Sequence, residues 1–216
     1  MEKGCELEVM ITGINHQGKG IARIDNKVIF VSNTLIGEVV NICITKVNKK
    51  FLEAEVINYI SKCDDRVTPE CPYYSDCGGC DIMHMSYKCQ HNFKVNKVKE
   101  IINKFVKEDI IINDIVYGSQ FNYRNKTTFH VKEKIGFYKE KTYELISIDS
   151  CLISSNEINN ILGILSNMDL SNIRSIVIRS SYDNGNIMII LDIMDNIDEN
   201  MFINKLKNIV NSLYIK

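Results

Sequence analysis

The sequence predicts a β + α/β chain: an N-terminal OB-like β-barrel, a cysteine-rich loop, and an incomplete α+β central domain. Three observations predict it. Residues 1–60 alternate apolar and polar side chains in short runs with no helical period. Cys71, Cys77 and Cys80 crowd into ten residues. Residues 86–216 then mix helical stripes with alternating runs. A length of 216 residues suits one large or two small domains, at roughly 150 residues each.

In the first 60 residues, Leu7, Val9 and Ile11 alternate with polar neighbours, as a half-buried strand does. A glycine-rich turn, His16-Gln17-Gly18-Lys19-Gly20, leads into Ile21–Ile24, and Asp25-Asn26 form a tight turn into Val28–Val31. Val40, Ile42 and Ile44 alternate again, Lys49-Lys50 turn the chain, and Leu52, Ala54 and Val56 follow. Five short strands in such a stretch suggest a small closed barrel of the OB type. Both prolines, Pro69 and Pro72, lie in 61–85, which reads as irregular.

From Ser86 the period is helical. Tyr87, Gln90, Val95, Val98, Ile101, Ile102 and Phe105 form one side, and five lysines between Lys88 and Lys104 the other. Strands are expected at 110–116, 123–131, 135–138 and 143–148. Ser154-Ser155-Asn156-Glu157 reads as a capping box before a stripe of Ile158, Ile161, Leu162 and Leu165. Asp183-Asn184-Gly185 joins runs 173–179 and 187–193 as a hairpin. Asp198 opens a last helix with Phe202, Leu206, Ile209, Val210 and Leu213 inside, and another strand begins as the chain ends at Tyr214-Ile215-Lys216. The domains are thus expected at 1–60, 61–85 and 86–216.

A hydrophobic fraction of 45% and a charged fraction of 25% exclude a largely disordered chain. No apolar run approaches the roughly 20 residues that span a bilayer, and Met1–Cys5 lacks a signal-peptide core, so a cytoplasmic protein is expected. The net charge of −1 conceals an asymmetry. Residues 86–142 hold twelve basic against six acidic side chains, whereas 61–85 hold two against five and 143–216 five against nine. A basic stretch between acidic ones suits either a polyanion-binding face or a solvated helix.

Eight cysteines in a cytoplasmic chain point to metal or redox chemistry rather than disulfides. Cys71, Cys77 and Cys80 form C-x5-C-x2-C, and Gly78-Gly79 permit positive backbone angles and free amides for a bound inorganic group. A tetrahedral site needs a fourth ligand, for which His84, Cys89, His91 and Cys151 are candidates. As isolated residues, Cys89 reads as a half-buried helix position, and His84 and His91 as surface imidazoles. Zinc and an iron–sulfur cluster are both open to such a set. Zinc sites favour paired short C-x2–4-C spacings, and unequal gaps with one remote thiolate are nearer the habits of iron–sulfur proteins. Cys5, Cys43 and Cys63 carry no assigned chemistry.

The run Cys71-Pro72-Tyr73-Tyr74-Ser75-Asp76-Cys77-Gly78-Gly79-Cys80-Asp81, with His84 and Ser86-Tyr87 after it, resembles the cluster loop of the RumA-type 23S rRNA (uracil-5-)-methyltransferases. Tyr123-Arg124-Asn125-Lys126 and Gly136-Phe137-Tyr138 resemble that family's central-domain signatures. Gly18–Arg23, Ile29-Phe30-Val31 and Gly37-Glu38 are similar to a TRAM domain, an OB-like RNA-binding module. The family's usual glutamine before the histidine is absent here.

The resemblance implies a 4Fe-4S cluster held by Cys71, Cys77, Cys80 and the remote Cys151, with rRNA as partner and S-adenosylmethionine as the methyl donor of the full-length family. No glycine-rich strand–turn–helix in this sequence suits that donor. The S-adenosylmethionine-binding catalytic domain is therefore expected to be absent, the chain by itself inactive, and the catalytic part supplied by a missing domain or a separate chain. Lys19, Arg23, Arg124, Lys126, Lys132 and Lys134 are the candidate RNA contacts, with Arg124 and Lys126 on one strand face. Phe30 is expected in the core because it lies in an apolar strand run. The alternative is a stand-alone zinc-binding RNA module using the same cysteine loop.

Overall fold

The computed structural model describes residues 1–216, which divide into two compact units. The first holds 1–70 and 80–116, the second 71–79 and 117–216. This division is interleaved, unlike three consecutive stretches: the basic helix groups with the N-terminal sheet, and Cys71–Gly79 with the C-terminal one.

In the first unit six strands, β1 (Glu6–Met10), β2 (Gly13–Ile14), β3 (Gly20–Ile24), β4 (Lys27–Val31), β5 (Val39–Val47) and β6 (Phe51–Ser61), form one sheet in the order β1-β5-β6-β4-β3-β2. The extra strand relative to the five expected is the two-residue β2, too short to show an alternation. Asp25 and Asn26 both take positive φ, 48° and 63°, which is the tight hairpin turn their side chains tolerate. Val9, Ile11, Ala22, Ile29, Val31, Val40, Ile42, Ile44, Leu52 and Ala54 bury together. Every one of these lies on or beside a strand of this sheet, so the sheet covers its own inner face.

The segment after β6 is tied to this sheet by an ion pair. Arg66 donates to Glu38 Oε1 at 2.5 Å and Oε2 at 2.7 Å, and to the Asn33 carbonyl at 2.7 Å. Glu38 also accepts from the Leu35 amide at 2.8 Å, and the guanidinium lies 4.4 Å from the Tyr59 ring centre. Residues 84 and 85 return to the same place: Val67 N donates to the His84 carbonyl at 3.0 Å, and Arg66 bridges Met85. His84 is buried, not a surface imidazole as its sequence position suggested.

Helix α1 (Tyr87–Phe105) starts where predicted, with Ser86 accepting from the Cys89 amide. None of its side chains is fully buried, and Phe105 is 75% exposed, so its apolar side is not packed into a core. The segment 110–116 forms no strand. Its side chains lack a neighbouring ladder, and Ile111 and Val116 lie almost wholly in solvent.

The second unit is a sheet in the order β12-β11-β10-β7-β8-β9. Its strands are β7 (Lys126–Val131), β8 (Ile135–Tyr138), β9 (Leu145–Ser147), β10 (Ile173–Ser180), β11 (Ile187–Ile193) and β12 (Ser212–Ile215). All pairs are antiparallel except β11 with β12. Helices α2 (Asn156–Leu165) and α3 (Glu199–Leu206) bury Ile158, Ile161, Leu162, Leu165, Phe202 and Leu206 in one core with Phe129, Ile176, Ile178, Ile189 and Leu191 of the sheet. Ser155 is the N-cap of α2, one residue later than a capping box from Ser154 to Glu157 requires. The last helix ends at Leu206, and Leu213 belongs to β12, whose partner strand recruits it.

Candidate functional site

The cysteine loop is built by tight turns. Tyr74 N donates to the Cys71 carbonyl, and Asp76 and Cys77 both donate to the Tyr73 carbonyl, at 3.1 and 2.7 Å. The Tyr73 hydroxyl donates to Asp149 Oδ2 and accepts from the Asp149 amide, each at 3.1 Å. Cys77 bridges Lys139, and Gly78 N donates to the Tyr138 carbonyl at 3.2 Å. Gly78 and Gly79 do not take positive φ. Gly78 is needed for close approach instead, since a Cβ there would stand 2.9 Å from the Tyr138 carbonyl oxygen. One of the two amides is thus spent on the sheet, and only that of Gly79 points at sulfur, donating to Cys77 at 3.4 Å.

Cys151 is held from the other side. Its amide donates to Asn159 Oδ1 at 2.8 Å, and Asn159 Nδ2 returns a bond to its carbonyl at 3.1 Å. Among the four candidate fourth ligands, Cys151 is the one that shares a unit with Cys71 and Cys77. Burial pushes the Cys77 thiol up, and the charges of Cys151 and Cys71 push it further, against the Gly79 amide and the Arg124 guanidinium. Cys71, Cys77 and Cys151 are thiol donors of the kind that soft cations prefer. They are not gathered to coordination distance: no three His, Cys, Asp or Glu side chains stand close enough to hold a metal ion. Cys80 begins the stretch that belongs to the first unit.

The remaining cysteines and histidines have other surroundings. The Cys89 thiol is pushed up to about 11 by burial and by the charges of Asp65 and Cys63, so it stays protonated. Burial and the Arg66 guanidinium hold His84 down at about 4. His91 packs against the Tyr87 ring at 4.2 Å. All eight cysteines are free thiols.

The six candidate RNA contacts are divided between the two units, Lys19 and Arg23 in the first and Arg124, Lys126, Lys132 and Lys134 in the second. Lys19 lies in the turn before β3, its amide bonded to Asn15 Oδ1 at 2.9 Å, and Arg23 is exposed on β3. Arg124 lies just before β7, its backbone bridges Ser154, and its charge acts on Cys77. Lys126 is exposed on β7, and Lys132 lies 5.8 Å from the Tyr138 ring centre. Lys132 and Lys134 also line a cavity of about 580 Å³, but Glu133, Asp149 and Asp169 line it too and offset them. Phe30 is half-buried, edge-on to Phe51 at 5.3 Å, because Ile29 and Val31 take the inward positions of β4. The alternation of β7 and β10 held a signal that sequence reading missed: it sets His130 and Arg179 on the face of Lys126.

Residues 1–57 match the TRAM domain family. Over 171 residues the chain is 36% identical to an uncharacterized RNA methyltransferase of Clostridium tetani, covering 76% of this chain and 37% of that protein. It is 37% identical over 171 residues to another from Clostridium acetobutylicum, covering 75% and 37%. The crystal structure of the Pyrococcus abyssi tRNA (uracil-54, C5)-methyltransferase in complex with S-adenosyl-L-homocysteine superposes with a TM-score of 0.68 at 19% identity, over 97% of this chain and 50% of that one. That likeness concerns the fold. The chain spans a little over a third of the length of the curated relatives it matches, and no helix is long and apolar enough to cross a membrane. The chain carries a TRAM domain at its N-terminus, and the relatives it matches along three quarters of its length are RNA methyltransferases.

Proposed function

We propose that this chain is the RNA-holding portion of an S-adenosylmethionine-dependent RNA (uracil-5-)-methyltransferase acting on 23S rRNA. The observation that carries the reading is the pairing of a TRAM domain with RNA methyltransferase relatives that extend well beyond it along this chain. The fold likeness to a uracil-C5 methyltransferase supports the choice of base, and the cysteine loop supports ribosomal over transfer RNA. In the proposed reaction a cysteine thiolate of the whole enzyme adds to uracil C6, C5 takes the methyl group from the donor, and a base removes the C5 proton as the thiolate leaves. A target uracil must leave its stack, so a surface has to hold the unfolded RNA around it. Lys19 and Arg23 of the TRAM domain and Lys126 and Lys132 of the second unit are assigned that work.

Cys71, Cys77, Cys80 and Cys151 are proposed to hold a 4Fe-4S cluster, which when bound serves as a staple closing the long loop from 71 to 151. Arg124 beside Cys77 offsets thiolate charge and is reassigned from the RNA contacts to this role.

The test is anaerobic purification followed by measurement of iron, sulfide and zinc, with binding of a 23S rRNA fragment and of tRNA on the same preparation. Iron and sulfide in equal amounts, absorption near ~400 nm and preference for the ribosomal fragment are expected. One stoichiometric zinc in a colourless protein would replace the cluster by the zinc-binding module, and preference for tRNA would overturn the ribosomal target.

A further inference from the structure

The sheet of the second unit has two unlike faces. One is covered by α2 and α3, whose buried side chains pack on Phe129, Ile176, Ile178, Ile189 and Leu191. The other is open. Strand register sets Lys126 beside Arg179 and His130 beside both Ser175 and Gly136, and Lys126 and Arg179 are exposed.

The open face carries rings. His130 stacks on Tyr138 at 4.1 Å between ring centres and 21° between planes. Tyr143 meets Tyr138 edge-on at 5.7 Å and is itself 81% exposed. Lys132 lies over Tyr138 and donates to the Tyr143 carbonyl at 2.6 Å, which fixes the turn that presents the ring. Cross-strand ring pairs do stabilise sheets, yet an exposed tyrosine tethered by a lysine adds little to a core.

The charge selects the occupant. Lys132 lies against the rings, Lys126 and Arg179 follow on the same face four residues along their strands, on the order of 13 Å away, and the carboxylate on the strand beyond, Asp192, is engaged by Arg174 at 3.2 Å. Glu140 and Glu144 lie in the turn of Tyr143, and Glu133, Asp149 and Asp169 offset Lys132 on the side of the cavity it lines, which leaves Lys126 and Arg179 as the uncompensated cations of the face. Burial lowers the His130 pKa, so its imidazole presents a neutral ring. Flat rings with one cation against them and two more further along the same sheet face suit a strand that offers π-faces and phosphates together.

We infer that the open face of this sheet docks unpaired RNA, the rings of His130, Tyr138 and Tyr143 taking bases and Lys126, Lys132 and Arg179 taking phosphates. The inference rests on the chain being an RNA-holding part, and adds where and in what form the RNA lies. Unpaired RNA is selected because a duplex keeps its base faces stacked away from protein rings.

The experiment uses the full 216-residue chain with a fluorescently labelled oligouridylate, against a duplex RNA of the same length. Fluorescence anisotropy gives affinities across a salt series, and ultraviolet crosslinking of the unaltered chain maps the contacts. Tyr143 and Arg179 are exposed, so Tyr143→Ala and Arg179→Glu leave the core alone, and Lys207→Glu on the helical side is the control. Tyr143→Ala is expected to weaken single-strand binding roughly tenfold. Arg179→Glu is expected to weaken it comparably and to reduce the salt slope by about one. Crosslinks are expected in the peptides of Tyr138 or Tyr143.

Crosslinks confined to residues 1–57, with both variants binding like the unaltered chain, would overturn the inference and leave the RNA-holding reading standing. Failure of the unaltered chain to bind any RNA would overturn both. If Arg179→Glu spares RNA affinity but abolishes self-association in sedimentation, the face is an interface between copies, and the inference falls.

Discussion

Glu38 and Arg66 show how much one pair can organise. Glu38 has no exposed surface, and Arg66 reaches it from beyond the end of β6. Burial pushes the Glu38 carboxyl up, but the bonds from Arg66 and the Leu35 amide outweigh it and hold it below the usual carboxylate range. Arg66→Ala would leave that carboxylate buried and unpaired. A loss of about 3–5 kcal/mol is expected in urea unfolding, and a loss under about 1 kcal/mol would mean that the pair is not the anchor. His84, packed nearby, adds a pH dependence. Its folded value of about 4 lies below the 6.5 of a free imidazole, so between these values the unfolded chain binds more protons. Stability is therefore full above pH 6.5 and falls on acidification toward 4, by on the order of 3 kcal/mol. Glu38 acts in the same direction at lower pH, because its depressed value is lost only as the carboxylate protonates. In His84→Gln the decline between pH 6.5 and 4 should flatten, and an unchanged slope in unfolding titrations would assign it elsewhere.

At the scale of elements, caps and close approaches decide where the site residues sit. Ser155 accepts from the Ile158 amide at 3.4 Å and shares a hydrogen bond with Ser180 at 2.9 Å, joining the start of α2 to the end of β10. Ser155→Ala should cost about 1–2 kcal/mol in thermal or urea unfolding. Because Asn159 on the first turn of α2 holds Cys151, the same variant should speed alkylation of Cys151 by a thiol reagent. An unaltered alkylation rate would show that the helix start does not position that thiol. The cysteine loop depends on Gly78 in another way. Gly78→Ala drives a methyl group into the Tyr138 carbonyl and the Glu140 backbone, neither of which is a flexible side-chain end. The loop between Cys71 and Gly79 should then lose its protection from proteolysis while the two sheets remain folded, as limited digestion with mass spectrometry would show.

For the molecule as a whole, the lysines and arginines make RNA affinity a function of salt. Raising salt from about 50 to 200 mM should cut it by more than tenfold if at least three phosphates are engaged, and a flat dependence would argue against phosphate contacts. The sequence by itself determined the local structure. Period-2 alternation marked most strands, Asp25-Asn26 and Asp183-Asn184-Gly185 marked their turns, and Ser86 and Asp198 marked the helix starts, because each signal is read within a few residues. Motif spacing likewise marked the TRAM module, which the family match at residues 1–57 reports independently. Only the tertiary structure decided which segments keep company. The 110–116 run is rich in β-branched residues but finds no partner strand, and α1 has an apolar stripe without a buried position. The charge of Arg124 acts on Cys77, His84 is buried, and His130 meets Tyr138 across two strands. The reason is physical: turns and caps are set by torsions and hydrogen bonds between near neighbours, whereas burial and ring stacking are set by strand order and register, which bring together residues far apart in the chain.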